Sequence, residues 1–142
     1  IFSSRLLNDQ SPLIYEDGDQ TRDFVSVHDI VQANILVLEN SRADYQILNV
    51  GTGRATTIRF IAEVIARGLG KDIEPELTGQ FREGDIRHCI ADISKARELL
   101  GYEPKVKLED GLNELLEWVA GQTADDRLES ASAELAAHSL VK

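Results

Sequence analysis

The segment Phe81-Arg82-Glu83-Gly84-Asp85-Ile86-Arg87-His88 concentrates two arginines in a chain whose formal net charge is −10. Such a chain repels anions at a distance, so an anion can bind only where guanidinium groups are gathered locally. Arginine presents a planar fork of donors that matches phosphate or carboxylate oxygens, and an adjacent glycine lets backbone approach the same group. The segment is therefore a candidate anion clamp. The same residues also suit a solvated turn held by local ion pairs, and the spacing alone leaves both readings open.

A second candidate pair is Arg22 and Phe24. Strand alternation would place both on one face, ~7 Å apart, so that a cation and a ring share one pocket wall. A surface arginine beside a core phenylalanine has the same spacing.

Catalytic groups are hard to find. Tyr15, Tyr45 and Tyr102 are followed four residues on by Asp19, Asn49 and Val106, so no Tyr-x-x-x-Lys proton-transfer pair exists. Gly51-Thr52-Gly53 invites a dinucleotide-binding reading, but Thr56 stands where the third glycine belongs and no ribose-binding acid follows a second strand. A tight strand-to-helix turn is the better reading, although an amide at the helix start could meet a ligand. His28, His88 and His138 are too scattered for a metal set. Ser26, His28 and Asp29 fit a helix cap better than a nucleophilic triad.

These groups need elements to hold them. Phe2, Leu6 and Leu7 have helical spacing with no capping residue before them, which predicts that the chain begins inside a helix. The absence of methionine likewise predicts a piece cut from something longer. Leu13–Glu16 and Phe24–Val27 read as short strands joined through Asp17-Gly18-Asp19. Ser26-x-x-Asp29 reads as a capping box opening a helix to about Asn40, with Val27, Ile30, Val31, Asn34, Ile35 and Leu38 on one face. Tyr45–Val50 reads as a buried strand, followed by a helix capped by Thr56 or Thr57 and ending at Gly68 or Gly70. Its inner stripe is Ile58, Ile61, Val64, Ile65 and Leu69. Ile73–Leu77 is a weak edge strand because of Pro75. Asp92 opens a short helix stopped by Gly101, and Leu108 to Val119 forms the last amphipathic helix. Residues 121–142 are a polar tail, a frayed helix or disordered, with too few large apolar groups to offset ordering entropy.

The 42% hydrophobic and 28% charged composition suits one soluble domain. No apolar run approaches the roughly 20 residues of a membrane span and no signal peptide is visible, so a cytoplasmic protein without a membrane partner is expected. The acidic balance argues against nucleic acid. Cys89 has no internal disulfide partner, which agrees with a reducing compartment.

Several segments together resemble the carboxy-terminal portion of NAD-dependent nucleotide-sugar epimerases and dehydratases, of the extended short-chain dehydrogenase/reductase group. They are Glu16-Asp17-Gly18, Thr21-Arg22-Asp23-Phe24-Val25-Ser26-Val27-His28-Asp29, Leu48-Asn49-Val50-Gly51-Thr52-Gly53, Arg82-Glu83-Gly84-Asp85, and Ala91-Asp92-Ile93-Ser94-Lys95-Ala96 running to Leu100-Gly101-Tyr102. The resemblance covers about residues 1–120. It implies a mixed α/β, mostly helical substrate-binding lobe with short strands, cut from a Rossmann enzyme. It implies that Arg22 contacts the nucleotide diphosphate or ribose, that Phe24, standing where the family often has Tyr, lines the same pocket, and that Ile58 packs near the nucleotide. Arg82 would bind diphosphate, with Asp85 on a ribose hydroxyl or orienting the arginine. Arg87 and His88 occur in only some branches and stay outside the expected site. NAD and the catalytic Tyr and Lys would belong to an amino-terminal Rossmann domain outside this chain. The full-length enzyme would be a homodimer that oxidises a sugar at C4 and returns hydride to the other face. The chain itself would supply grip and orientation. An independent interaction or nucleotide-sensing module is the alternative from another class.

Overall fold

The computed structural model describes residues Ile1–Val141. The chain forms two compact units: residues 1–20, 57–87 and 112–142 make the first, and residues 21–56 and 88–111 the second. Among the described residues the structure is mixed α/β, with helices predominating over strands of two residues each. No helix among them is long and apolar enough to cross a membrane.

In the first unit, α1 (Phe2–Leu7) and α3 (Ile58–Gly68) enclose a core of Leu6, Ile61, Ala62, Ile65 and Ala66. The Thr57 side chain accepts the Phe60 N–H at 3.2 Å, satisfying one of the donors that a helix start leaves orphaned. At the other end Gly70, with φ +66°, turns the chain back as Lys71 donates to the Ala66 carbonyl. β1 (Leu13–Ile14) pairs in parallel with β4 (Glu76–Leu77), Leu13 facing Glu76 and Ile14 facing Leu77. The carboxy-terminal part of α5 (Leu108–Ala120) buries Leu116 and Val119. A Cβ on Gly68 would press on Leu116 Cδ1, so a methyl added there must displace the end of that buried side chain. α6 (Leu128–Ala137) buries none of its residues, as the polar composition of the tail implies.

In the second unit, β2 (Thr21–Arg22) pairs in parallel with β5 (His88–Cys89). β3 (Thr56–Thr57) lies where the chain passes from one unit to the other. The core gathers Ala33 of α2 (Val27–Glu39), Ala43 of a 3-10 turn (Ser41–Ala43), Ala96 and Leu100 of α4 (Ser94–Leu100), and Ile93 and Tyr102, with Leu48 and Val50 packed against it. Gly101 ends α4 in the left-handed conformation, at φ +66°.

Three sequence expectations shift. The strand expected at Phe24–Val27 lies earlier, at Thr21–Arg22, because α2 already begins at Val27. Tyr45–Val50 is not a strand among the described residues: Leu48 and Val50 pack inward, Ile47 is 88% exposed, and no neighbouring backbone supplies a ladder. Ser26 caps α2 by accepting the His28 N–H, but Asp29 does not close a capping box. Its buried carboxylate accepts from Lys105 N at 2.8 Å and Val106 N at 3.2 Å, tying the start of α2 to the approach to α5. Consequently Asp29 and Ala33 form the buried face of α2, and the apolar stripe Val27, Val31, Ile35 and Leu38 is solvent-exposed.

Candidate functional site

Arg82 and Asp85 come together in the first unit as their i,i+3 spacing allows. Arg82 donates from Nε to Asp85 Oδ2 at 2.9 Å, with Nη2 at 2.8 Å from the same oxygen. Its guanidinium also lies over the Tyr15 ring, 5.2 Å from the centroid, an arrangement stabilised by the ring quadrupole. Asp85 takes Nε and Nη2, so the Nη1 edge of the fork is not used by that pair. Glu16, Asp17, Gly79, Phe81, Arg82 and Asp85 line an open cleft of about 470 Å³. Here the guanidinium is held between an aromatic face and a carboxylate, which suits it to an oxyanion that it meets edge-on.

The cleft wall is braced by a residue left outside the expected site. Arg87 donates to Glu16 Oε2 at 2.6 Å and to Asp17 Oδ2 at 2.8 Å, one nitrogen to each acid. The Arg87 hydrogen bond holds the Asp17 carboxyl below its ordinary range, helped by the Asp19 backbone N–H; Asp17 in turn raises Arg87. These groups are solvated, so the clasp organises the loop more than it stabilises the fold. Tyr15 lies outside the expected site, and although Arg87 and the Glu16-Asp17 pair stand out in the sequence, the roughly 70 residues between them hide the clasp. The available signal was the acidic pair just before Gly18 and the second arginine of the 81–88 segment.

Ile58, also in the first unit, opens α3, is half-buried, and donates its N–H to the Gln20 carbonyl at 3.0 Å. Arg22 and Phe24 belong to the second unit, where both are half-buried. Arg22 ends β2 beside Cys89 and donates to the Thr21 carbonyl at 2.8 Å. Phe24 lies past the strand end, so strand alternation does not set its direction.

Asp23, between them, organises the second unit's glycine turn. Its carboxylate accepts from Thr52 N at 2.9 and 3.1 Å, Gly53 N at 2.9 Å, Ala91 N at 3.3 Å and the Thr52 hydroxyl. Burial pushes the Asp23 carboxyl up, but these bonds outweigh it and leave the group below its ordinary value. A Cβ on Gly51 would lie 2.5 Å from Asp23 Oδ2 and 2.7 Å from Ala91 Cβ, which explains the glycine. Tyr102, fully buried, donates its hydroxyl to the Gly51 carbonyl at 2.9 Å, and burial foremost, then Asp29 and Asp23, raises its pKa. The Thr52 and Gly53 amides and the Gly51 carbonyl are thus engaged within the protein, and the turn does not fit a dinucleotide pyrophosphate.

His88 shares a 2.9 Å hydrogen bond with the Thr21 hydroxyl, bracing β5 against β2. Among the described residues no three His, Cys, Asp or Glu side chains are grouped to hold a metal ion.

The family model described as GDP-mannose 4,6 dehydratase matches residues 2–115 of this chain. The chain belongs to the nucleotide-sugar epimerase and dehydratase family of extended short-chain dehydrogenases/reductases. Among its curated relatives, the dTDP-L-rhamnose 4-epimerase of Burkholderia thailandensis is 39% identical over 118 residues, which are 82% of this chain and 32% of that protein. The solved UDP-glucose 4-epimerase of Thermotoga maritima, with UDP-glucose, is 41% identical with a TM-score of 0.75, covering 82% of this chain and 37% of that one. The UDP-glucuronic acid 4-epimerase of Bacillus cereus, solved with UDP-glucuronic acid and NAD, is 29% identical with a TM-score of 0.73, covering 83% of this chain and 38% of that one. The chain spans about a third of the length of the curated relatives it matches. Within this family the mixed, mostly helical portion with short strands is the part represented here.

Proposed function

We propose that this chain is the nucleotide-sugar-gripping portion of an NAD-dependent 4-epimerase acting on UDP-glucose-type or dTDP-sugar substrates. The observation that carries the reading is the Arg82 guanidinium, braced by Asp85 and Tyr15 over a cleft in an otherwise acidic chain. Family membership and the 4-epimerase activities named for its relatives support it.

In this reading Arg82 meets the diphosphate with its Nη1 edge, and Asp85 either keeps the fork oriented or accepts a ribose hydroxyl. Arg22 takes a second position on the diphosphate or ribose, Phe24 lines the same pocket, and Ile58 packs near the nucleotide. Holding the diphosphate fixes where the sugar ring sits, which converts an encounter into an oriented complex. NAD, when bound, supplies hydride acceptance and return at the sugar. Among the described residues no set fits it, since two amides of the glycine turn of suggestive spacing are engaged by Asp23. NAD and the Tyr/Lys pair therefore fall to the remainder of a longer, homodimeric enzyme, and this chain alone is inactive.

The test is full-length protein with NAD and UDP-glucose or a dTDP-sugar. Interconversion at C4 is expected, with Arg22→Ala and Arg82→Ala each raising the substrate KM about 10- to 100-fold, the worth of a charge-assisted contact. Unchanged KM in both variants would remove the reading. The family model's own description favours a 4,6-dehydratase as the second reading, with a decarboxylase of the same family beside it. The product distinguishes them: a keto-deoxy sugar or released CO2 instead of an epimer.

A further inference from the structure

We propose that the segment Ser139–Val141, which follows α6, is a positioning strap that holds the Arg82 loop in its anion-gripping pose. This rests on the reading of Arg82 as a diphosphate ligand.

The loop has little burial to hold it. Residues 79–87 are all exposed, and beyond the adjacent residues no atom lies within 4 Å of where a Cβ would stand on Gly79 or Gly84, both at positive φ. Its start is fixed by Glu16 N donating to the Gln80 carbonyl at 2.7 Å, and its end by the Arg87 clasp. Between them, the backbone at the gripping residue meets the tail: Arg82 bridges Val141 in antiparallel fashion, and Glu83 N donates to the Leu140 carbonyl at 2.8 Å.

The tail is itself anchored within the same unit. Ser4 Oγ donates to the Asp125 carbonyl at 3.0 Å and Asn8 Nδ2 to the Ala124 carbonyl at 3.1 Å. Arg5 pairs with Asp126 at 3.0 Å, with both side chains less than a quarter exposed. At the far end of α6, Ser139 takes φ +55° and Leu140 N donates to the Leu135 carbonyl, which turns the chain off the helix toward the loop. A non-glycine residue in the left-handed region is held there by its surroundings, here by a turn whose product is the bridge to Arg82. The whole strap lies beyond residues 2–115, the part the family model matches. Preorganising a loop raises affinity by reducing what ordering must be done on binding, and a loop that is competent only part of the time binds weaker by that fraction.

The experiment compares full-length protein with a variant deleted for residues 140–142, and each with Arg82→Ala, using UDP as the probe in calorimetric titration. The deletion is expected to weaken UDP binding about three- to tenfold. In the Arg82→Ala background it is expected to change nothing further, because there is no grip left to position. Hydrogen exchange without ligand gives a second readout, with the Glu83 amide protected in the parent protein and faster in the deletion variant at unchanged melting temperature. If Arg82→Ala weakens UDP binding while the deletion leaves both affinity and Glu83 exchange unchanged, the strap is overturned and the site reading stands. If the deletion is equally costly with and without Arg82, the effect is general and the strap is also overturned. If Arg82→Ala itself leaves UDP binding unchanged, both readings fall together.

Discussion

Replacing Asp23 by alanine should separate the scaffold of the second unit from its surface chemistry. The carboxylate serves three backbone amides, those of Thr52, Gly53 and Ala91, together with the Thr52 hydroxyl. Each amide hydrogen bond contributes about 1 kcal/mol net, and more when its acceptor is charged. Because Asp23 is only half-buried, water recovers part of the loss, so the expected destabilisation is about 3 kcal/mol. In a full-length enzyme, about three times the length of this chain's matched part, this corresponds to roughly 4 °C in melting temperature, read by calorimetry at pH 7. Asp23→Asn keeps one carbonyl acceptor and should lose about half as much. The folded-state pKa of Asp23 is depressed, so its contribution is present above the unfolded value near 4 and is lost as pH falls through the lower folded value. The stability gap between the native protein and Asp23→Asn should therefore close below about pH 4. A melting shift under 2 °C for Asp23→Ala, or a gap of constant size from pH 7 to pH 3, would show that the Asp23 carboxylate does not hold the turn.

Gly68→Ala should destabilise by about 1–3 kcal/mol through overpacking against Leu116, and Leu116→Val should relieve part of it; urea denaturation of the double variant checks this. The exposed apolar stripe Val27, Val31, Ile35 and Leu38 should make the isolated chain self-associate, and Val31→Glu with Leu38→Glu should disperse the oligomer while leaving folding intact, as read by sedimentation. A sharply cooperative monomer before substitution would contradict that expectation. Tyr15→Leu should weaken UDP binding about two- to fivefold by loosening Arg82, whereas Tyr15→Phe should be near neutral. The Arg87 clasp should survive from neutral pH down to the usual carboxylate range and open as pH falls through the lowered Asp17 pKa, visible as faster exchange of loop amides.

Much of the local structure was legible because it is written in short-range chemistry. Ser26 and Thr57 cap helices, and Gly70 and Gly101 turn the chain at their ends, as their types and positions imply. Apolar periodicity in α2 revealed a stripe but not what covers it; the buried Asp29 carboxylate and small Ala33 turn the opposite face inward. Tyr45–Val50 has strand composition, yet strand structure depends on a neighbour's backbone, which a single segment cannot specify. In the candidate site, Arg82 stood out by the clustering of arginines and Asp85 by the family resemblance, while Tyr15, Glu16, Asp17 and Arg87 join them through contacts distant in sequence. The glycine turn shows the reverse case: its spacing hinted at a ligand, and Asp23 supplies the partner that spacing could not reveal.

The most direct test is a crystal structure of the full-length protein with NAD and a UDP- or dTDP-sugar. Diphosphate oxygens are expected within about 3 Å of Arg82 and Arg22 nitrogens, with Asp85 still against Arg82 or on the ribose. A nucleotide sugar held elsewhere, with neither guanidinium within hydrogen-bonding reach of its phosphates, would contradict this.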